Sequence, residues 1–116
     1  MVIVIRKDLN MRKGKMCAQA AHACQYAILD VIWSRSIPGG VWEQWEKNNW
    51  TKVVVSVDSE KELLEIHKKA KEMGLTSVLV TDIGKTEFKE PTNTAVAIGP
   101  GDAEAIDKIT GKLSLL

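Results

Sequence analysis

The run VIVIR (Val2–Arg6) has no polar position until its last residue. A strand wetted on one side alternates apolar and polar residues, so an unbroken Val/Ile run needs cover on both faces. A chain of 116 residues that begins this way calls for a sheet between helical layers, with room for one core. Three more runs read as strands: KVVVSV (Lys52–Val57), TSVLVT (Thr76–Thr81) and TAVAIG (Thr94–Gly99). Met16–Trp33 holds neither Gly nor Pro and reads as a long helix, which SIPGG (Ser36–Gly40) breaks. A shorter helix covers Val41–Lys47. The next is capped by Asp58 or Ser59 and carries an apolar stripe at Leu63, Ile66, Ala70 and Met73 before Gly74 stops it. A loop spans Asp82–Asn93, and Asp102 opens a last helix through Ile109, ended by Gly111. The order is therefore β-α-α-β-α-β-β-α. Helical crossovers favour parallel pairing, and the short link between the last two strands permits one antiparallel neighbour. The expected class is α/β: a three-layer α/β/α sandwich, one domain over 1–116, with a four-stranded mixed, mainly parallel sheet.

A hydrophobic fraction of 45% and a charged fraction of 27% fit an ordinary soluble protein. No apolar run is long enough to span a bilayer, and MVIVI meets Arg6 and Lys7 too early for a signal peptide, so the cytosol is the default location. The net charge of +1 makes no case for nucleic acid, but its distribution does. Arg6, Lys7, Arg12, Lys13 and Lys15 stand against Asp8 alone in the first twenty residues. Such a loop can attract phosphate, or it can be a solvated surface. Cys17 and Cys24 would lie about 10 Å apart along one helix, too far for a disulfide. Without a CxxC or a histidine cluster, reduced and mostly buried thiols are expected, and no structural zinc.

On a helical wheel Gln19 lies about 40° from Lys15, with His22 and Tyr26 each within about 20° of it. These residues form a polar stripe, while Ala20, Cys24, Ala27 and Val31 form a small-residue stripe suited to packing on the sheet. Gln19 and His22 can simply bond nearby backbone. Their place at the start of a helix after a strand also suits an anion, with Arg12 and Lys13 adding charge at that end. DIGKT (Asp82–Thr86) leaves the third strand. Its GKT is not a phosphate loop, because the glycine that motif needs is Leu79 here. Gly99 and Gly101 are too few for a dinucleotide fingerprint and read as turns. Ligands of open α/β sheets bind beyond the carboxyl ends of the strands. If the first and third strands are parallel neighbours or nearly so, Lys15, Asp82 and Thr86 converge there. Asp82 can then orient or deprotonate water, Lys15 stabilise negative charge, and Thr86 position a polar group. The same acid and lysine can equally form a structural ion pair.

RKDLNMRKGKMCAQAAHA, DIGKT, TAVAIGPG and IDKITGKLSLL, in this order, resemble the archaeal and eukaryotic type of peptidyl-tRNA hydrolase. The likeness runs from Val2 to Leu116 and is weakest over Trp33–Asn49. It implies the fold above and hydrolysis of the ester joining a peptide to the 3′ ribose of tRNA. It places the family's proposed catalytic lysine, aspartate and threonine on Lys15, Asp82 and Thr86, and its motif glutamine and histidine on Gln19 and His22 as site-lining residues. With Arg12 and Lys13 as phosphate contacts, Gln19 and His22 complete the expected substrate-binding set. The resemblance implies no metal and no organic cofactor, peptidyl-tRNA as partner, and a protein of a kind that often forms homodimers.

Three features depart from the pattern. Ile83 stands where the family usually has alanine, setting a bulkier residue beside the acid. FKEPTN (Phe88–Asn93) replaces a loop commonly rich in proline and glycine. Trp33, Trp42, Trp45 and Trp50 fall in or beside the least similar segment. Trp42 and Trp45 read as one helix's buried face or as a stacking platform for the terminal adenosine, and Trp33 as packing. An esterase is the favoured function. The rival is a paralogue that binds RNA or a protein through the same basic loop without catalysis, and a nucleotide-binding protein ranks far below.

Overall fold

A computed structural model describes residues 1–34, 40–85 and 87–116. Most of the expected SIPGG break and the whole of Thr86 lie outside the described residues. The elements are β1 (Val2–Arg6), α1 (Lys13–Ser34), α2 (Val41–Lys47), β2 (Val53–Val57), α3 (Glu60–Glu72), β3 (Ser77–Asp82), β4 (Thr92–Ile98) and α4 (Ala103–Thr110). They form a four-stranded mixed sheet in the order β2-β1-β4-β3. β1 pairs parallel with β2, and β4 runs antiparallel to both β1 and β3. Thus β1, β2 and β3 point one way. Because β4 sits between β1 and β3, two of the ladders are antiparallel, and β1 and β3 are next-but-one neighbours whose carboxyl ends share one edge of the sheet.

Strand alternation divides the core into two layers. On one face Ile3, Ile5, Val80, Ala95 and Ala97 meet Ala23 and Ala27 of α1. Alanines on both sides of this contact let α1 lie close across β1, β3 and β4. On the other face Val4, Val55, Val57, Val96 and Ile98 meet Leu63, Ile66 and Ala70 of α3 and Ile106 of α4. Full burial of Leu63 or Ile98 stabilises the fold by about 2–3 kcal/mol each. Ser59 caps α3, its Oγ accepting from the Glu62 N–H at 3.1 Å, while Asp102 caps α4. Both helices have an acid in the first turn and a base in the last, as the helix dipole favours.

Several expectations shift. The buried line of α1 is Gln19, Ala23, Ala27 and Val31, spaced four apart. Ala20 and Cys24 flank it half-buried, Cys17 is exposed, and both thiols are free, so the cysteines are unpaired as expected but not mostly buried. Met73 lies past the end of α3 and is exposed, as is Trp33 near the end of α1. Trp42, Trp45 and Trp50 stack edge to face at centroid distances of 5.1–5.9 Å, and Trp45 Nε1 donates to the Thr51 carbonyl at 2.8 Å. Thr51 also accepts from the Met1 amino group, which puts this cluster beside the amino ends of β1 and β2. It is a strand length, about 15 Å, from the edge where β1 and β3 end. At that separation the three rings pack on one another and on Thr51, away from the edge where Lys15 and Asp82 are expected.

Candidate active site

α1 starts soon after β1 ends, and its contacts with β1, β3 and β4 carry its first turn over the carboxyl ends of β1 and β3. Lys15 sits in that turn, and Asp82 is the last residue of β3. Lys15 Nζ donates to Asp82 Oδ2 at 2.6 Å, with each side chain only 11% exposed. The Phe88 ring lies 5.5 Å from the same ammonium and shields it from water on that side. FKEPTN thus gives the site an apolar wall. Asp82 receives two more donors: the Gln19 amide at Oδ2, 3.3 Å away, and the Gly84 N–H at Oδ1, 2.9 Å away. The Lys15 bond holds its pKa below the usual carboxylate range. Burial opposes that shift, while the Gly84 N–H, the Lys15 charge and Gln19 reinforce it. Asp82 is therefore ionised throughout the neutral range.

Gly84 has φ +83°, and a Cβ there would come within 2.8 Å of the Glu90 carbonyl carbon. Only glycine turns this loop back over Asp82 and still aims its N–H at the carboxylate. Gly84→Ala is expected to cost about 2 kcal/mol, read as a lower urea midpoint, and to lower kcat in proportion as the carboxylate loses a donor. A variant with an unchanged midpoint would show that the loop shifts freely. Ile83 turns away, 67% exposed, so its bulk does not crowd the acid.

The other expected site residues are spread more widely. Gln19 joins the pair but is 2% exposed; its Oε1 accepts from Thr94 Oγ1 at 2.5 Å. Arg12 is exposed and pairs with Glu87 at 3.9 Å, linking the start of α1 to the β3–β4 loop. Lys13 is exposed beside it. His22 lies about 10 Å further along α1, exposed, and stacks on Tyr26. The helical wheel rightly set Lys15 near Gln19 but missed that the stripe crosses the boundary between core and solvent.

Two residues escaped the sequence reading. Arg6 is buried, not part of a solvated basic run. Its Nη2 and Nε grip Asp8 at 2.7 and 3.2 Å, and Nη1 donates to the Asn93 carbonyl at 3.0 Å and to Glu60 at 3.4 Å. Its position at the end of an apolar strand was the available signal. Thr94 is wholly buried at a register shift in β4. A polar residue heading an otherwise apolar run was its signal.

A mostly shielded ammonium and carboxylate at the carboxyl ends of two strands, with exposed cations around them, can hold a water and steady negative charge on an ester. Compared with known proteins, residues 1–116 match the family described as Peptidyl-tRNA hydrolase PTH2. The chain belongs to that family. It is 51% identical over 116 residues to the peptidyl-tRNA hydrolase of Methanocaldococcus jannaschii, covering 100% of this chain and 98% of that protein. Peptidyl-tRNA hydrolases of Sulfurisphaera tokodaii and Thermoplasma acidophilum are 43% and 42% identical, each across 100% of this chain and 97% of their own length. Both ends of the PTH2 match reach past the Lys15–Asp82 pair, so the whole site lies within it. Among the described residues, no helix of this PTH2 chain is long and apolar enough to cross a membrane.

Proposed function

We propose that this protein hydrolyses the ester between a peptide and the 3′ ribose of tRNA, with Lys15 and Asp82 at the reacting centre. The observation that carries the reading is the 2.6 Å, largely shielded Lys15–Asp82 contact in a chain of the PTH2 family. A carboxylate held this far toward its ionised form is a weak base, so Asp82 acts mainly by fixing the attacking water. The Lys15 ammonium stabilises the oxygen that becomes negative as water adds to the ester carbonyl. When that carbonyl re-forms, the bond to the ribose oxygen breaks, and this oxygen leaves as the 3′ hydroxyl with the proton that the attacking water gives up. The threonine that the family resemblance adds is Thr86, as a hydroxyl that orients water or substrate. Gln19 supports Asp82 from within the core.

Arg12 and Lys13, exposed beside the site, contact tRNA phosphates, and His22 on the outer side of α1 meets a more distant part of the substrate. Phosphate contacts position the tRNA without reading its sequence, so many tRNAs serve, in the cytosol where they are charged and used. The test is release of the blocked amino acid from N-acetylated aminoacyl-tRNA. Wild type is expected to turn over with a KM that rises with salt, and Lys15→Ala to lose about a hundredfold or more in kcat while still binding tRNA. A folded wild type that binds tRNA without releasing product would instead identify a non-catalytic binder.

A further inference from the structure

Strand alternation should send Thr94 toward α3. Ala95 and Ala97 of β4 pack under α1, while Val96 and Ile98 face α3 and α4, so Thr94 belongs with the latter pair. Its hydroxyl nevertheless reaches Gln19 of α1. The register explains this. Val80 pairs with Ala95 and Thr81 with Asn93, which leaves Thr94 without a partner across the β3 ladder. This is a β-bulge, and bulges re-aim side chains. Here two consecutive residues, Thr94 and Ala95, face the same helix.

The bonds beyond the bulge have a defined direction. Thr94 has one hydroxyl proton, and Gln19 Oε1 at 2.5 Å takes it in preference to the Val80 carbonyl at 3.5 Å. An amide whose oxygen accepts from Thr94 must turn its NH2 toward Asp82, where Nε2 meets Oδ2 at 3.3 Å. With the amide reversed, an oxygen would face the carboxylate. We propose that Thr94 is a positioning residue: from the bulge, its hydroxyl fixes which end of the Gln19 amide faces Asp82, and so how the reacting carboxylate is held. This rests on the hydrolase reading for its effect on rate, and on geometry alone for its effect on Asp82. Asp82 is otherwise held ionised by Lys15 from α1 and by the Gly84 N–H. Across the ladder β4 sets uncharged Thr92 opposite it, and on the β3–β4 loop Lys85 is exposed and Glu87 pairs with Arg12.

The experiment compares Thr94→Val, Thr94→Ser, Gln19→Leu and the Gln19→Leu/Thr94→Val pair. It reads kcat and KM on N-acetylated aminoacyl-tRNA and the pH titration of the Asp82 carboxyl carbon by NMR. Thr94→Val should lower kcat roughly tenfold to a hundredfold at little changed KM. It should also move the Asp82 titration to higher pH, because a donor to the ionised form is lost. Thr94→Ser, which keeps the hydroxyl, should recover most of both effects, which a purely packing role would not predict. In the Gln19→Leu background, Thr94→Val should change neither reading further, and this comparison decides the matter even if Thr94→Val alone fails to fold. A Thr94→Val protein with wild-type rate and wild-type Asp82 titration overturns the proposal, as does a second additive loss in the double variant. If wild type releases no product, the hydrolase reading falls, and the Asp82 titration still decides whether Thr94 holds the carboxylate.

Discussion

Asp82→Asn is expected to lower kcat about a thousandfold and leave KM for N-acetylated aminoacyl-tRNA within a small factor. The split follows from where the groups lie. The carboxylate is buried against Lys15, whereas the exposed Arg12 and Lys13 proposed to hold phosphates do not depend on it. Asparagine keeps the shape and an oxygen for Lys15, but it removes the charge that neutralises the ammonium and is proposed to fix the water. Stability should fall by about 2–3 kcal/mol at pH 7, since one member of a mostly buried pair loses its counter-charge. The pH dependence gives a sign check on the same residue. The folded pKa of Asp82 is depressed, so its stabilisation is present above the unfolded carboxylate value near 3.9 and is lost as pH falls through the folded value. Urea midpoints at pH 7 and pH 3 should therefore differ less in Asp82→Asn than in wild type, the remainder coming from Asp8, which is depressed first by its bond to Arg6. A variant that retains wild-type kcat would remove Asp82 from the chemistry.

Those parts of the fold that obey one local rule were legible in the sequence. β1 followed from its unbroken Val/Ile run, α3 from a serine cap and an apolar spacing of three and four, and the break after α3 from Gly74. The meeting of Lys15 and Asp82 followed from topology, because strands that point the same way end at the same edge. What could not be read depends on pairings between distant segments. β4 begins at Thr92, two residues before the expected start at Thr94, because Thr92 and Asn93 are polar and join β3 only beyond the bulge. Gln19 passes as a surface amide until the bulged threonine is known to lie above it. Ile83 looked like an obstacle because sequence adjacency to Asp82 suggests contact, whereas successive side chains leaving a strand point opposite ways. The tryptophans drew attention by their number, but their place is set by Thr51 at the other end of the sheet.

Arg6→Met should destabilise the protein by about 2–3 kcal/mol, seen as a lower urea midpoint at pH 7. Methionine keeps most of the buried stem, so the loss measures the guanidinium. That group reaches three segments at once: Asp8 on the way into α1, Glu60 at the start of α3, and the Asn93 carbonyl next to the bulge. The figure is below that of a fully buried pair, because Asp8 and Glu60 are 30% and 50% exposed and water screens part of the attraction. The Asn93 carbonyl adds to the cost, since a backbone acceptor loses its donor where the β3–β4 ladder is already irregular. Arg6→Lys should recover little, as an ammonium cannot grip both oxygens of Asp8 and also reach Asn93. Because Asn93 adjoins Thr94, the loosened bulge should also lower kcat at temperatures where Arg6→Met is fully folded. A loss of stability with wild-type kcat would confine Arg6 to holding the loops. A loss of both would tie the arginine on the α3 face of the sheet, through the bulge, to the carboxylate on the α1 face.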